Sequence, residues 1–354
     1  MSLDIKLLSK MGWEPFFQQQ LSAQEWEQTT PCRVTAVHRG QLILTSADRE
    51  IILPLTGKIL TDDNLLQSTV GDWLLLEKES EKFVRQLERK SLFKRKAAGT
   101  ANRHQLVAAN INTLFLVTSC NEDFNISRLE RYLALAYDAK VEPVIILTKI
   151  DLAEDVNKFV DQVRALDDLL MVEPVNALEP KTLISLKAWC KAGQTIALMG
   201  SSGVGKSTIA NGLGSVIQKT SKIRESDAKG KHTTTHRSLL PLKDGAILLD
   251  TPGMRELQIT DCEVGVATVF ADIETLSANC RFNNCRHDNE PGCAVRVAID
   301  AGDLEPRRLA SYGKLMAEQA RNAATLAEKR QKDKELSKFY SRTIKQSHKL
   351  KGMT

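Results

Sequence analysis

The sequence predicts a multi-domain chain: an N-terminal β-barrel of the oligonucleotide-binding type (OB-fold), a central α/β domain, and a C-terminal, mainly α, metal-binding domain. Three observations carry this. Short runs rich in Val, Ile and Leu recur between about Thr30 and Arg89, strand and helix patterns alternate from about Gln105, and three of the seven cysteines crowd into Cys280 to Cys293. A chain of 354 residues is also too long for one ordinary core. The expected parts are 1–92, an N-terminal helix and barrel; 93–265, the α/β domain; and 266–354, the metal-binding helical domain with a basic tail.

In the first part, CRVTAV, QLILTS, EIILPL and DWLLLE read as strands, with turn signals at His38-Arg39-Gly40, Ala47-Asp48 and Gly71-Asp72. Four or five strands in some sixty residues suit a small closed barrel, although pattern alone does not separate one small barrel from another. TLFLVTS then reads as a buried strand. Ser127-Arg128-Leu129-Glu130 reads as a capping box opening a helix whose apolar face is Leu129, Tyr132, Leu133 and Ala136. The segment EPVIILTKID, a helical stretch near Asp155 to Leu169, MVEPVNA, the helix KTLISLKAWCK and the strand QTIALMG follow, and after a polar segment two further strands read as RSLLPL and AILLDTPG. The alternation predicts a parallel sheet with helices on both faces. A long helix is expected from about Pro306 to Lys338, with Leu309, Tyr312, Met316 and Ala320 as its apolar stripe.

Hydrophobic residues at 42% and charged residues at 26% fit a soluble globular protein. The opening MSLDIKLLSKMGW has no sustained apolar run and no apolar stretch approaches a membrane span, so no membrane partner and a cytoplasmic location are expected. From Arg321 to Thr354 there are ten Lys or Arg against three Asp or Glu, which is +7 for the tail and −2 for the rest of a chain whose formal charge is +5. Such a tail suits either a polyanion partner or a solubilising helix face.

Gly200-Ser201-Ser202-Gly203-Val204-Gly205-Lys206-Ser207-Thr208 satisfies every fixed position of G-x-x-x-x-G-K-[ST], with a strand before it and a helix after. The glycines let backbone amides turn onto phosphate oxygens, Lys206 neutralises the β- and γ-phosphates, and the Ser207 hydroxyl joins a magnesium shell. Asp250-Thr251-Pro252-Gly253 ends a buried strand. Asp250 there suits the outer shell of Mg2+ and the Gly253 amide a γ-phosphate, though alone the tetrapeptide is also an ordinary turn. Thr148-Lys149-Ile150-Asp151 follows another buried strand. Asp151 can accept both the N1 and N2 hydrogens of guanine while the Lys149 stem packs on the ring, and Asn176 with Ala177 can offer amides to the guanine oxygen. The same residues also fit a polar helix start. The polar segment SDAKGKHTTTHRS lies between the phosphate loop and DTPG. One of its threonines could reach magnesium and the γ-phosphate, or the segment is an exposed loop.

Cys280-x4-Cys285-x-His287-x5-Cys293 supplies three thiolates and an imidazole, a closed tetrahedral set for one structural Zn2+. The segment around it has too few apolar residues for a core, so metal binding and folding are expected to be one event. The other four cysteines are scattered, which argues against a disulfide framework.

A guanine-reading motif placed before the phosphate loop is out of the usual order. With the barrel, the linker ending Ala108-Ala109-Asn110, and the order TKID, GSSGVGKS, HTTT, DTPG, metal cluster, the chain resembles the circularly permuted GTPases of the small-ribosomal-subunit biogenesis type, the RsgA/YjeQ family. The resemblance covers nearly the whole chain. It implies that the central part is a circularly permuted P-loop GTPase domain that binds GTP/GDP with Mg2+. It further implies hydrolysis stimulated by the small ribosomal subunit, contact with its rRNA, a role in its late maturation, and a monomer. By the same resemblance, His232 is the candidate for positioning water and Thr234 the candidate for sensing magnesium; His232 also fits an ordinary loop histidine. Thr148 stands where the family usually has Asn, which implies a weaker guanine site, and Met254 follows DTPG where many GTPases have a water-positioning glutamine. Two other readings remain at this stage: an RNA-binding assembly factor holding GTP as a structural ligand, and a P-loop ATPase or small-molecule kinase.

Overall fold

In the computed structural model, the structure describes residues 5–38, 40–47, 49–55, 68–96, 104–214, 237–250, 262–322 and 331. Three short helices open the chain: α1 (Ile5–Lys10), α2 (Pro15–Gln18) and α3 (Ala23–Gln28). Ser22 and Glu25 form a reciprocal capping box that starts α3. Five antiparallel strands follow: β1 (Thr29–His38), β2 (Gln41–Thr45), β3 (Glu50–Pro54), β4 (Trp73–Glu77) and β5 (Phe83–Gln86), in the order β3-β2-β1-β4-β5. The first half of β1 pairs with β4 and the second half with β2, with a register shift between Val34 and Ala36 that turns the strand from one neighbour to the other. Among the described residues β3 pairs with β2 and β5 with β4, and β3 and β5 do not pair with each other.

Alternation explains the packing. Cys32, Val34, Leu42, Leu44, Leu74 and Leu76 share one core face, while Trp73 and Leu75 on the other face of β4 pack beneath Leu8, Trp13 and Phe17 of the N-terminal helices. That is why WLLL is apolar at every position: β4 is covered on both sides.

A hairpin of β6 (Leu92–Lys96) and β7 (His104–Ala109) leads into the alternating part, so the linker residues Lys94, Arg95 and Lys96 lie on a strand. There β8 (Thr113–Ser119), α4 (Ile126–Asp138), β9 (Glu142–Thr148), α5 (Val156–Arg164), β10 (Met171–Pro174), β11 (Thr195–Met199), α6 (Lys206–Gly212), β12 (Arg237–Pro241) and β13 (Ile247–Asp250) follow in turn. The sheet order is β10-β9-β8-β11-β13-β12, parallel from β10 to β13 and antiparallel at β12. β12 also pairs with β1 through Ala36 and Val37, so one sheet runs from the nucleotide half into the N-terminal strands. Arg33 reinforces this joint. It is 1% exposed, and its Nη2 donates to Thr195 Oγ1 at 2.8 Å and to Asn110 O at 3.2 Å. Burial lowers its pKa to about 10, so it remains charged at neutral pH.

Helices α7 (Glu263–Val269), α8 (Ala271–Ser277), α9 (Ala294–Ala301) and α10 (306–322) complete the described chain. Phe270, Ile273, Cys293 and Val295 belong to the same buried cluster as Leu129, Leu133 and Ile145, so these helices share the core on one face of the sheet. Helices α4 and α7 meet at Gly265, where an added Cβ would stand 2.0 Å from Ala134 O. Gly265→Ala is therefore expected to cost about 3 kcal/mol in urea unfolding, because backbone on both sides must move. A loss below about 0.5 kcal/mol would mean that the helices separate freely.

Three local expectations change. The N-cap of α4 is Asn125, whose Oδ1 accepts from Arg128 N at 2.9 Å. Ser127 and Glu130 lie inside the first turns instead of forming a box, because both side chains are taken by α10. KTLISLKAWCK forms a 3-10 helix over Thr182–Ala188. In α10 the buried positions are Arg308, Ser311, Leu315 and Gln319, with Met316 exposed at 40%. Of the expected stripe, Leu309 and Tyr312 pack against the core beside Leu315, whereas Met316 and Ala320 are exposed, and the rest of the buried face is polar because Arg308 and Ser311 meet partners on α8 and α4.

Candidate nucleotide and metal sites

The sheet brings the carboxyl ends of β8, β9, β11 and β13 to one edge, with β11 in the middle. The loop after β11 is the phosphate loop, and Gly205 ends it in the left-handed region at φ +97, as the N-cap of α6. A side chain there would be strained, and the turn aims the first amides of α6 into the loop. Lys206 Nζ donates to Gly200 O at 2.9 Å and also to Ser201 O, so the ammonium folds over the loop's own carbonyls. Ser202 and Ser207 are exposed, Ser201 and Thr208 half-buried, and Val204 buried against the sheet.

Thr148 ends β9 and is fully buried. Its hydroxyl lies 2.6 Å from Val204 O and 3.1 Å from Thr118 O. The residue at the first guanine-motif position thus ties its strand to the phosphate loop and to β8, spending its one proton on backbone. Lys149 follows in the left-handed region at φ 57 and starts a 3-10 turn, Ile150–Leu152, on which Asp151 is exposed. Asn176 Oδ1 accepts from Leu178 N at 3.1 Å, and Thr182 Oγ1 donates to Asn176 O at 2.7 Å, which fixes the turn carrying Asn176 and Ala177 at the end of β10. The phosphate-loop residues and Thr148 are therefore in direct contact, and the β9 and β10 turns stand at the same sheet edge.

Asp250 is the last residue of β13, paired in register with Ser238. Gly253, Met254, His232 and Thr233 to Thr235, including Thr234, lie outside the described residues. One residue at the loop had no sequence signal: Arg128, in the first turn of α4, donates from Nη1 to Ser201 Oγ at 2.5 Å. A cleft of about 770 Å³, lined by Tyr137, Arg164, Asp167, Asp272 and Arg308 among others, opens between α4, α5 and α10. It includes no phosphate-loop residue and is not the nucleotide site.

The side-chain ligand atoms of Cys280, Cys285, His287 and Cys293 all lie within 4.8 Å of one another. Cys280 Sγ and Cys293 Sγ are 3.9 Å apart, far from a disulfide, and His287 Nδ1 lies 3.7 Å from the first and 3.5 Å from the second. A tetrahedral zinc with Zn–S bonds of about 2.3 Å requires ligand edges of about 3.8 Å, so the set fits. His287 is held in the left-handed region at φ 62 to bring its ring inward. The scattered thiols are different: burial pushes Cys120 up to about 11 and Cys190 and Cys262 up to about 12, so they remain protonated at neutral pH.

Ser277 on α8 fixes the tautomer of that histidine. Its hydroxyl donates to Ile273 O at 2.7 Å and therefore accepts from His287 Nε2 at 3.1 Å, leaving the Nδ1 lone pair facing the thiols. Ser277→Ala is expected to weaken zinc binding about tenfold, measured by competition with a chromophoric chelator. Unchanged affinity would remove Ser277 from the site.

Comparison with known proteins bears on the family and the fold. A family model described as RsgA GTPase matches residues 86–260. A relative from Vibrio parahaemolyticus described as small ribosomal subunit biogenesis GTPase RsgA 2 is 51% identical over 94% of this chain and 91% of its own. A protein of the same description from Vibrio vulnificus is 50% identical over 97% of both chains. Among solved structures, YjeQ from Thermotoga maritima superposes with a TM-score of 0.60 at 24% identity, covering 82% of this chain and 98% of its own. YloQ, described as a circularly permuted GTPase, gives 0.57 at 23% identity over 82% of this chain and 94% of its own. These two share the fold. With half its residues identical over nearly its full length, the chain belongs to the RsgA family of GTPases.

Proposed function

We propose that this protein is a GTP phosphohydrolase that binds the small (30S) ribosomal subunit and assists its late maturation. The observation that carries the reading is the contact between Thr148 and Val204: it joins the guanine-reading strand to the phosphate loop, as one nucleotide site requires. In that site the loop from Gly200 to Thr208 cradles the phosphates, Lys206 balances their charge, and Asp151 selects guanine, with Lys149, Asn176 and Ala177 around the base. Thr148 acts through the loop backbone. Magnesium, when bound, neutralises charge developing on the phosphates, and Ser207, Thr234 and Asp250 are the residues proposed to hold it or its water. His232 is the proposed group for orienting the attacking water, and the Gly253 amide for sensing the γ-phosphate.

The cluster Cys280, Cys285, His287 and Cys293 holds one structural zinc. The N-terminal strands close as an oligonucleotide-binding barrel, and with the basic tail and the zinc module they grip rRNA mainly through its phosphates, so binding is salt-sensitive. The division at 1–92, 93–265 and 266–354 frames these roles. Among the described residues no helix is long and apolar enough to cross a membrane. The proposed protein acts on ribosomes in the cytoplasm as a monomer.

The test is GTP turnover titrated with isolated small and large subunits. A strong rise with small subunits alone is expected, whereas equal turnover with and without them would defeat the coupling. Preference for ATP over GTP in a competition assay would favour a P-loop ATPase or kinase. Absence of phosphate release on ribosomes in a single turnover would favour an assembly factor that keeps GTP as a structural ligand.

A further inference from the structure

Helix α4 is held on one side by the C-terminal helices. Glu130, fully buried, accepts from Arg307 Nη1 at 3.1 Å and from Arg308 Nη1 at 3.2 Å. Arg131 Nη2 donates to Glu318 Oε1 at 2.9 Å, and the hydroxyls of Ser127 and Ser311 are 2.7 Å apart. Arg308 is in turn paired with Asp272 on α8 and donates to Val269 O at 2.7 Å. A buried carboxylate with two guanidinium partners resists displacement, because separating them leaves charge uncompensated. These contacts set the position of α4 against the C-terminal helices.

Arg128 leaves the same helix in another direction. Its guanidinium meets Ser201, the second residue of the phosphate loop, at 2.5 Å, and Asp123 O at 3.4 Å. Both partners are neutral, and among the described residues Arg128 forms no ion pair. A half-buried cation with neutral partners beside an anion-binding loop adds positive potential where phosphate must sit.

We propose that Arg128 is a positioning residue of the phosphate loop, holding it through Ser201 and linking it through α4 to the C-terminal helices. The loop is then ordered before nucleotide arrives, and any partner that shifts α10 has a side-chain route to it. The cost of ordering the loop is met in folding, so losing the contact transfers that cost to binding. This rests on the nucleotide reading of the loop: a parent chain that binds no guanine nucleotide would defeat that reading, while the comparisons below defeat only this one.

The test uses the full chain and a fluorescent GDP analogue. Arg128→Ala is expected to raise its Kd and the KM for GTP about tenfold, with kcat within about twofold, because the contact serves ground and transition states alike. Ser201→Ala is expected to do the same, the double variant to be no worse than either single one, and Arg128→Lys to recover part of the loss. Glu318→Ala is expected to raise Kd about threefold in the parent and not in the Arg128→Ala background. A folded Arg128→Ala chain with Kd within twofold of the parent would overturn the proposal. So would multiplicative losses in the double variant, a fall in kcat at constant KM, or an equal Glu318→Ala effect in both backgrounds. If Arg128→Ala does not fold, Ser201→Ala decides alone, since it removes one oxygen, and an unchanged Kd there overturns the proposal.

Discussion

Replacing Lys206 by Ala is expected to reduce GTP hydrolysis about a thousandfold in a single-turnover phosphate-release assay. The ammonium does two things at the loop. It bridges the carbonyls of Gly200 and Ser201, which holds the loop curled, and it is the only charged side chain of the loop itself. A unit charge about 4 Å from a phosphate oxygen at an effective dielectric of about 20 is worth about 4 kcal/mol, a factor of about a thousand. Lys206→Arg should not rescue, because a planar fork cannot make the same compact return to the two carbonyls. Turnover within tenfold of the parent would mean that the phosphate charge is met elsewhere, and Arg128 would be the group to examine.

The second large effect is expected from Cys293→Ala. Cys293 is 3% exposed and sits where the metal cluster joins the core of Phe270, Ile273 and Val295. Its loss removes one of four ligands and leaves three polar groups grouped without their shared ion. Zinc content should fall from one per chain to near zero, and hydrogen exchange across 270–301 should lose its protection. The destabilisation of this segment should be at least about 5 kcal/mol, as expected where binding of the proposed zinc and folding are one event. Cys190→Ala serves as control: its thiol is pushed up to about 12 by burial and should leave zinc content at one. Retained zinc and protection in Cys293→Ala would show that the segment folds on its apolar residues.

Strands and the phosphate loop were legible because each is written in contiguous residues. Runs rich in Val, Ile and Leu between turn signals predict β1 to β4, and the centres of β8, β9 and β11 are continuous apolar runs because both faces of the sheet are covered. The metal set was legible from ligand chemistry at short spacing. Polar helical positions were less so. Ser127 and Glu130 have the form of a capping box, and only the presence of Arg307, Arg308 and Ser311 177 to 184 residues further along the chain shows that they serve another purpose.

Thr148 makes the same point at the site itself. Its sequence reading compared a hydroxyl with an amide as ligands for a base. In the fold the hydroxyl lies between two backbone carbonyls, one of them in the loop 56 residues later. On the proposed nucleotide reading, guanine affinity would depend on how well the loop is held as well as on contacts to the base.

The sequence by itself determined the chemistry available: a phosphate cradle, a carboxylate suited to guanine, a zinc set, and an order of motifs that marks a permuted domain. These follow from local spacing, because backbone turns and ligand bites span only a few residues. The tertiary structure decided which of those groups act on one another. The sheet order places β11 between β8 and β13, Thr148 under Val204, and α4 between Ser201 and the C-terminal helices. A polar side chain carries no mark of its distant partner, and packing alone brings the two within hydrogen-bond reach.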